Sequence, residues 1–150
     1  MRTRIRTSPD LSHALVAAGL QISDDESDPL VLQLAEPGDE WDAVMDALRS
    51  AFVHSRFAAQ NDAAIVYVVR GDDLLGRRGA GSAMVATGLL SGARTAAVEG
   101  RKRDVPVNVI AVDDDTDVAV AARWIVAALS GGPTGELIRI GGGHIGKALP

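Results

Sequence analysis

The sequence predicts an α/β chain built on a reduced, doubly wound parallel sheet of about five strands. Three observations carry that prediction. Short apolar runs recur, PLVLQL at 29–34, AAIVYVV at 63–69 and VNVIAV at 107–112. They have strand length and lack the polar alternation of a sheet wetted on one face, so they read as strands buried on both faces. Stretches of helical periodicity separate them, and proline, glycine and aspartate punctuate the junctions.

In chain order, residues 2–7, RTRIRT, form the first strand, with Arg2, Arg4 and Arg6 on one face and Thr3, Ile5 and Thr7 on the other. A strand buried on both faces could not hold three arginines, so this one is expected at a sheet edge, where charge blocks stray pairing. The arginine face reads as a solvated edge, with an anion or partner site as the alternative. Ser8-Pro9-Asp10 starts a helix over about 11–18, with Ser8 as N-cap, and Gly19 stops it. Residues 21–28, QISDDESD, read as a solvated acidic loop.

After the strand at 29–34 and the turn Glu36-Pro37-Gly38-Asp39, a helix runs from about Asp39 or Glu40 to Gln60. Trp41, Val44, Met45, Leu48, Phe52 and Phe57 supply its apolar spacing. Beyond the strand at 63–69, residues 70–81 are a glycine-rich loop. The helix from Gly81 interleaves Gly88, Ser91, Gly92, Ala93, Ala96 and Ala97 with larger apolar residues, so a neighbour can approach closely. Arg101, Lys102 and Arg103 suit the negative end of its dipole. Asp117–Leu129 is a helix capped by Thr116 or Asp115, and Glu136–Ile140 is the last strand.

A chain of 150 residues is one domain, residues 1–150, large enough for a core of its own. With no cysteine it has neither disulfides nor a thiolate site. The net charge of −5 argues against nucleic acid as the main partner. The absence of a long apolar run or a secretory leader argues for a cytoplasmic protein that does not engage a membrane.

Four segments together resemble the short-chain dehydrogenase/reductase (SDR) family. VNVIAV looks like that family's strand after its Tyr-Lys helix. WDAVMDALRSAFVHSRFAAQ at 41–60 resembles its long helix with a WD start. ELIRIGGG at 136–143 resembles its closing strand, and the helix from Gly81 sits where the Tyr-Lys helix does. The resemblance covers residues 41–143 and implies a Rossmann-like fold. It also marks departures. The family's glycine-rich cofactor loop would fall on TSPDLSHA, which has no glycine and carries Asp10. Aligned position by position, the catalytic Asn, Ser, Tyr and Lys fall on Leu48, Arg70, Ala83 and Thr87, none of which can do the corresponding chemistry. Between the first helix and the strand at 29–34 there is no room for the two strands and two helices of a complete family member. The chain therefore looks like a truncated, degenerate member with no cofactor and no catalytic residue.

Other candidates are weaker. Tyr67, the only tyrosine, lies in a buried strand and reads as a core residue with a bonded hydroxyl. His13, His54 and His144 stand alone. Asp113, Asp114, Asp115 and Asp117 follow a strand end, where oxygen ligands could hold Mg²⁺ or Ca²⁺, but helix capping and solvation explain them and no metal site is assigned. Gly141–Gly146 matches GxGxxG in form, without a βαβ unit to serve.

The expected function is a non-catalytic SDR-like subunit with a structural or assembly role, in a homo-oligomer or beside a catalytically complete SDR. The resemblance implies assembly through the two long helices and the last helix and strand. The alternative is an NAD(P)-dependent oxidoreductase of the 3-oxoacyl reductase type with an unrecognised site. Whether a small ligand binds near Arg70 and Asp113 stays open. Trp124 and Ile125 are adjacent in a helix and so point about 100° apart. If Ile125 faces the core, Trp124 faces out, and the expected interface comprises Trp124, Ala128, Ile138 and Ile140.

Overall fold

The computed structural model describes residues 1–142; the GxGxxG match and His144 extend outside them. Six strands form one parallel sheet. They are β1 (Arg2–Arg6), β2 (Gln21–Ile22), β3 (Leu30–Gln33), β4 (Ile65–Arg70), β5 (Val107–Val112) and β6 (Leu137–Ile140), in the spatial order β2-β1-β3-β4-β5-β6. The helices are α1 (Pro9–Ala17), α2 (Trp41–Gln60), the single turn α3 (Gly71–Leu74), α4 (Ala80–Gly100) and α5 (Val118–Leu129). The chain moves outward from β1 to β2, then returns past β1 to lay down β3 through β6. The reversal between β1 and β3 makes a topological switch point.

The two faces follow the period of two along each strand. Leu30, Leu32, Ile65, Tyr67, Val69, Val107 and Val109 face α2 and α4. Val31, Val66, Val68 and Ile110 face α1 and α5, where Leu15 and Ile125 close the layer. Each such fully buried aliphatic side chain contributes roughly 1.5–3 kcal/mol of transfer free energy. In β6, Leu137 joins the first face while Ile138 and Ile140 join the second, as alternation requires.

Asn108 is the polar exception in this core. It lies in β5, fully buried, and its amide donates to the Pro133 carbonyl at 2.7 Å while its Oδ1 accepts from Glu136 N at 3.2 Å. A longer contact of 3.5 Å reaches the Ala128 carbonyl. One side chain thus ties the end of α5 and the entry to β6 onto the central strand, and satisfies backbone groups that the connection would otherwise bury unpaired.

Several sequence expectations need correction. The sheet has a sixth strand, because Gln21 and Ile22, at the head of the expected loop, pair with Arg2 and Thr3. This stub removes β1 from the edge: β1 has β3 on its other side, in the register Arg4↔Leu30 and Ile5↔Val31. Arg4 is buried rather than solvated.

The arginines are accommodated there because the acidic loop lies against them. Arg2 donates to Ser23 Oγ and sits 3.4 Å from Asp28, Arg4 Nε donates to the Asp28 carbonyl at 3.3 Å, and Arg6 reaches Asp24 at 3.5 Å. The loop at 70–81 contains α3. The cap of α5 is Asp117, whose carboxylate accepts from Ala119 N at 2.8 Å, and not Thr116 or Asp115. Ser8 occupies the N-cap position of α1 without a side-chain capping bond.

Candidate functional site

The carboxyl ends of β1, β3 and β4 open into a crevice of about 350 Å³ at the switch point, the place where ligands bind in open α/β sheets. Thr7 and Ser8 come from the end of β1, Gln33 to Pro37 from β3 and its turn, and Val68 to Arg70 from β4. Asp73 of α3 and Ser82, Val85, Ala86 and Leu89 of α4 complete it. Helix α4 is fixed at its start by a carboxylate from a distant turn, for Asp39 Oδ1 accepts from Gly81 N at 2.9 Å. The approach is so close that a Cβ on Gly81 would lie 1.9 Å from the Gly38 carbonyl oxygen. A negative charge at that end also suits the helix dipole.

Charged groups crowd the mouth. Glu36 bridges Arg70 and Arg78. Arg78 also lies 3.4 Å from Asp73 and 3.3 Å from Asp114, and Arg70 lies 3.7 Å from Asp114. Asp73 is the most enclosed member, and its Oδ1 has no hydrogen-bond partner among the described residues. Burial holds its pKa above the ordinary carboxylate value against the opposing pull of Arg78.

The four positions aligned with catalytic groups do not form a chemical constellation. Arg70 is at the crevice, engaged in the ion pairs just described. Ala83 lies in the first turn of α4 with no functional group. Thr87 is exposed and its hydroxyl donates back to the Ala83 carbonyl at 2.7 Å. Leu48 packs from α2 against Gly88, where a Cβ would be 3.0 Å from its methyl. Tyr67 is buried and its hydroxyl donates to Ser55 Oγ at 2.6 Å, as expected of a core tyrosine. Burial raises its pKa, which disfavours the phenolate.

The first turn after β1 differs from a glycine-rich phosphate loop. Ser8 N–H is already taken by Gln33 Oε1 at 2.9 Å, Pro9 has no N–H, and Asp10 adds a negative charge in the first turn of α1.

The aspartates after β5 divide into separate roles. Asp113 pairs with Arg139 of β6 at 3.3 Å, and Gly141 makes room for it: a Cβ there would stand 2.5 Å from the Asp113 Cβ. Asp114 belongs to the arginine network and Asp117 caps α5. Among the described residues, no three His, Cys, Asp or Glu side chains are grouped to hold a metal.

The four residues expected at an interface do not share one surface. Trp124 is half exposed on the outer side of α5, with Ile125 fully buried beneath it. Ala128 and Ile140 are buried within this chain, and Ile138 is partly buried against the same core. Helix α2 supplies more exposed apolar surface. Trp41, Met45 and Phe52 lie along one stripe of it, and Phe52 is 66% exposed. Sequence reasoning grouped these residues with Val44 as core spacing, but only Val44 among them is buried. The stripe flanks an open groove of about 720 Å³ between α2 and α4, lined by Leu48, Phe52 and Ser55 on one side and Gly88, Gly92 and Thr95 on the other. Asp73, Ser82 and Gln33 also went unnoticed in the sequence, since polar residues near strand ends are common; only the topology brings them to one crevice.

A parallel sheet wound in both directions from β1 and β3, with helices on both faces and a crevice at the reversal, defines a Rossmann-like α/β protein. Solved structures of that architecture give a narrower likeness. The citronellol catabolism dehydrogenase of Pseudomonas aeruginosa PAO1 superposes with a TM-score of 0.62 at 18% identity, covering 92% of this chain and 81% of its own. A short-chain dehydrogenase/reductase from Serratia marcescens gives a TM-score of 0.60 at 16% identity, covering 93% of this chain and 94% of its own. The fold is therefore SDR-like. No protein-family model and no curated protein matches the sequence. Among the described residues no helix is long and apolar enough to cross a membrane.

Proposed function

We propose that this protein is a non-catalytic SDR-like subunit, a degenerate form of that fold whose role is assembly, either with a second copy of itself or with a catalytically complete SDR. The observation that carries the reading is the outer face of α2 and α4. Monomers rarely leave a tryptophan, a methionine and a phenylalanine exposed along one stripe beside an open groove. Gly92 adds to it. A glycine inside a helix costs about 1 kcal/mol relative to alanine, yet a Cβ at Gly92 would meet nothing in this chain. Room left there suits a close neighbour from another subunit.

Charge supports a two-fold arrangement. Helix α2 is acidic near its start, at Asp42 and Asp46, and basic further on, at Arg49 and Arg56. Two such faces related by a two-fold axis would set acid against base. Trp124 on α5 is a second, separate contact point.

Native mass spectrometry of the purified protein, alone and with any SDR encoded beside its gene, tests the assembly. An oligomer burying on the order of 1,000 Å² or more is expected. Phe52→Glu should weaken it by about 2 kcal/mol or more, and Trp124→Glu by less. A monomer in both experiments would refute assembly. Titration with NADPH tests the non-catalytic part: saturable micromolar binding would favour the oxidoreductase alternative.

A further inference from the structure

The crevice at the switch point is not used by the assembly reading, and its chemistry is specific enough to name a ligand class. We propose that it binds a small organic amine, with the ammonium group at Asp73 and the apolar body on the floor formed by Val69, Val85, Ala86 and Leu89.

The argument begins with charge. Glu36, Asp73 and Asp114 surround the mouth, and only Arg70 and Arg78 oppose them. Asp10 stands beyond, at the start of α1. This imbalance attracts a cation and repels phosphate or carboxylate. Hydrogen bonding comes next. Asp73 is about nine-tenths buried, yet its Oδ1 accepts no hydrogen bond from any described residue, and Arg78 Nε, at 3.4 Å, is outside bonding geometry. A buried carboxylate oxygen without a donor is costly, so a donor that reaches it is favoured. Ser82 and Gln33 line the same space and can accept from the remaining ammonium protons.

Size and polarity complete the case. About 350 Å³ lies at the low end for small-molecule pockets, and an apolar floor with a few polar groups is their usual make-up. The raised pKa of Asp73 is consistent with a carboxyl that gains from a cation, since an ammonium would restore its charged form.

Three probes with one skeleton test this: phenethylamine, phenethyl alcohol and hydrocinnamate, each titrated into the full chain by amide NMR and calorimetry. The amine should bind saturably and shift the amides of Ser8, Gln33, Asp73 and Ala86. It should bind about tenfold or more tightly than the alcohol, with no saturable binding of the carboxylate. Asp73→Asn should weaken the amine by about tenfold or more. Ala86→Phe, which fills the floor and leaves the carboxylate in place, should abolish binding, so the proposal stays testable if the Asp73 variant does not fold. The proposal is overturned by no saturable amine binding, by shifts confined to another surface, by equal or tighter carboxylate binding, or by amine affinity indifferent to both substitutions. None of these outcomes depends on oligomeric state, so success or failure here is separable from that of the assembly reading.

Discussion

The two ends of the sheet are closed by different physics. Around β4 and β5, every strand position but the last is buried, and α2, α4 and α5 lie over them. Around β1 and β2, the face bearing Arg2, Arg4 and Arg6 is charged rather than apolar. Ion pairs and hydrogen bonds to residues 23–28 close it instead. The first arrangement derives its stability from apolar area. In the second, two of the pairs join substantially exposed arginines to aspartates, and exposed pairs are worth about 1 kcal/mol or less each. A strand within a sheet can thus carry three arginines on one face, provided a short polar loop answers their charge.

Substitutions at the two ends should differ accordingly. The largest effect is expected at the helix-covered end. Asn108→Ala removes the donor to Pro133 and the acceptor of Glu136 N, leaving buried backbone groups unpaired. Urea unfolding should show a loss of about 2–3 kcal/mol. A loss near zero would mean that the end of α5 and β6 are held by packing alone.

An opposite result is expected at the ionic end. Arg4→Met deletes a buried guanidinium whose Nη2 has no partner among the described residues and sets an apolar side chain beside Leu30. Stability should stay the same or rise by about 1 kcal/mol. A loss of 2 kcal/mol or more would show that the ionic cover contributes as much as a helix.

The smallest effect concerns pH. Burial lowers the pKa of His54, and the nearby Arg6 and Arg4 lower it further, while Glu26 opposes them. The unfolded chain then binds a proton more readily than the folded one. Its contribution is present above the unfolded value of 6.5 and is lost as pH falls through the lower folded value. His54→Gln should flatten the melting temperature between about pH 7 and pH 5. An unchanged slope would place the acid sensitivity among the carboxylates.

The second half of the fold was legible in the sequence because its strands are uninterrupted apolar runs, which only one environment accommodates. VNVIAV coincides with β5, AAIVYVV overlaps β4 from Ile65 to Val69, and Ile125 faces inward with Trp124 outward. The first half was harder to read. Gln21-Ile22 is too short to carry a period, and its pairing depends on β1 lying alongside. The arginines of β1 gave the right alternation but the wrong place, because whether a strand is at an edge depends on topology rather than on its own residues. In α2 a single run of large apolar residues serves two surfaces: Val44 turns to the core while Trp41, Met45 and Phe52 turn away. Of the crevice only Arg70 was marked in the sequence as a place for a small ligand, and the rest went unread for a related reason. Gln33, Asp73 and Ser82 come from three elements, and no spacing in the chain links them.

The close contacts at the carboxyl edge of the sheet also bear on how this chain can drift in sequence. Alanine at Gly81 would collide with the Gly38 backbone. At Gly141, a Cβ would strike the Asp113 Cβ from a backbone φ of +143°, which side-chain-bearing residues rarely adopt. In a saturation mutagenesis screen scored only on folded yield, both positions would tolerate almost no replacement. Read as a profile, that pattern would resemble the fingerprint of an enzyme's reacting edge, although backbone proximity alone produces it. Tolerance mapped on this molecule therefore reports where the elements touch, and an inference of chemistry from immovable glycines would be misplaced here.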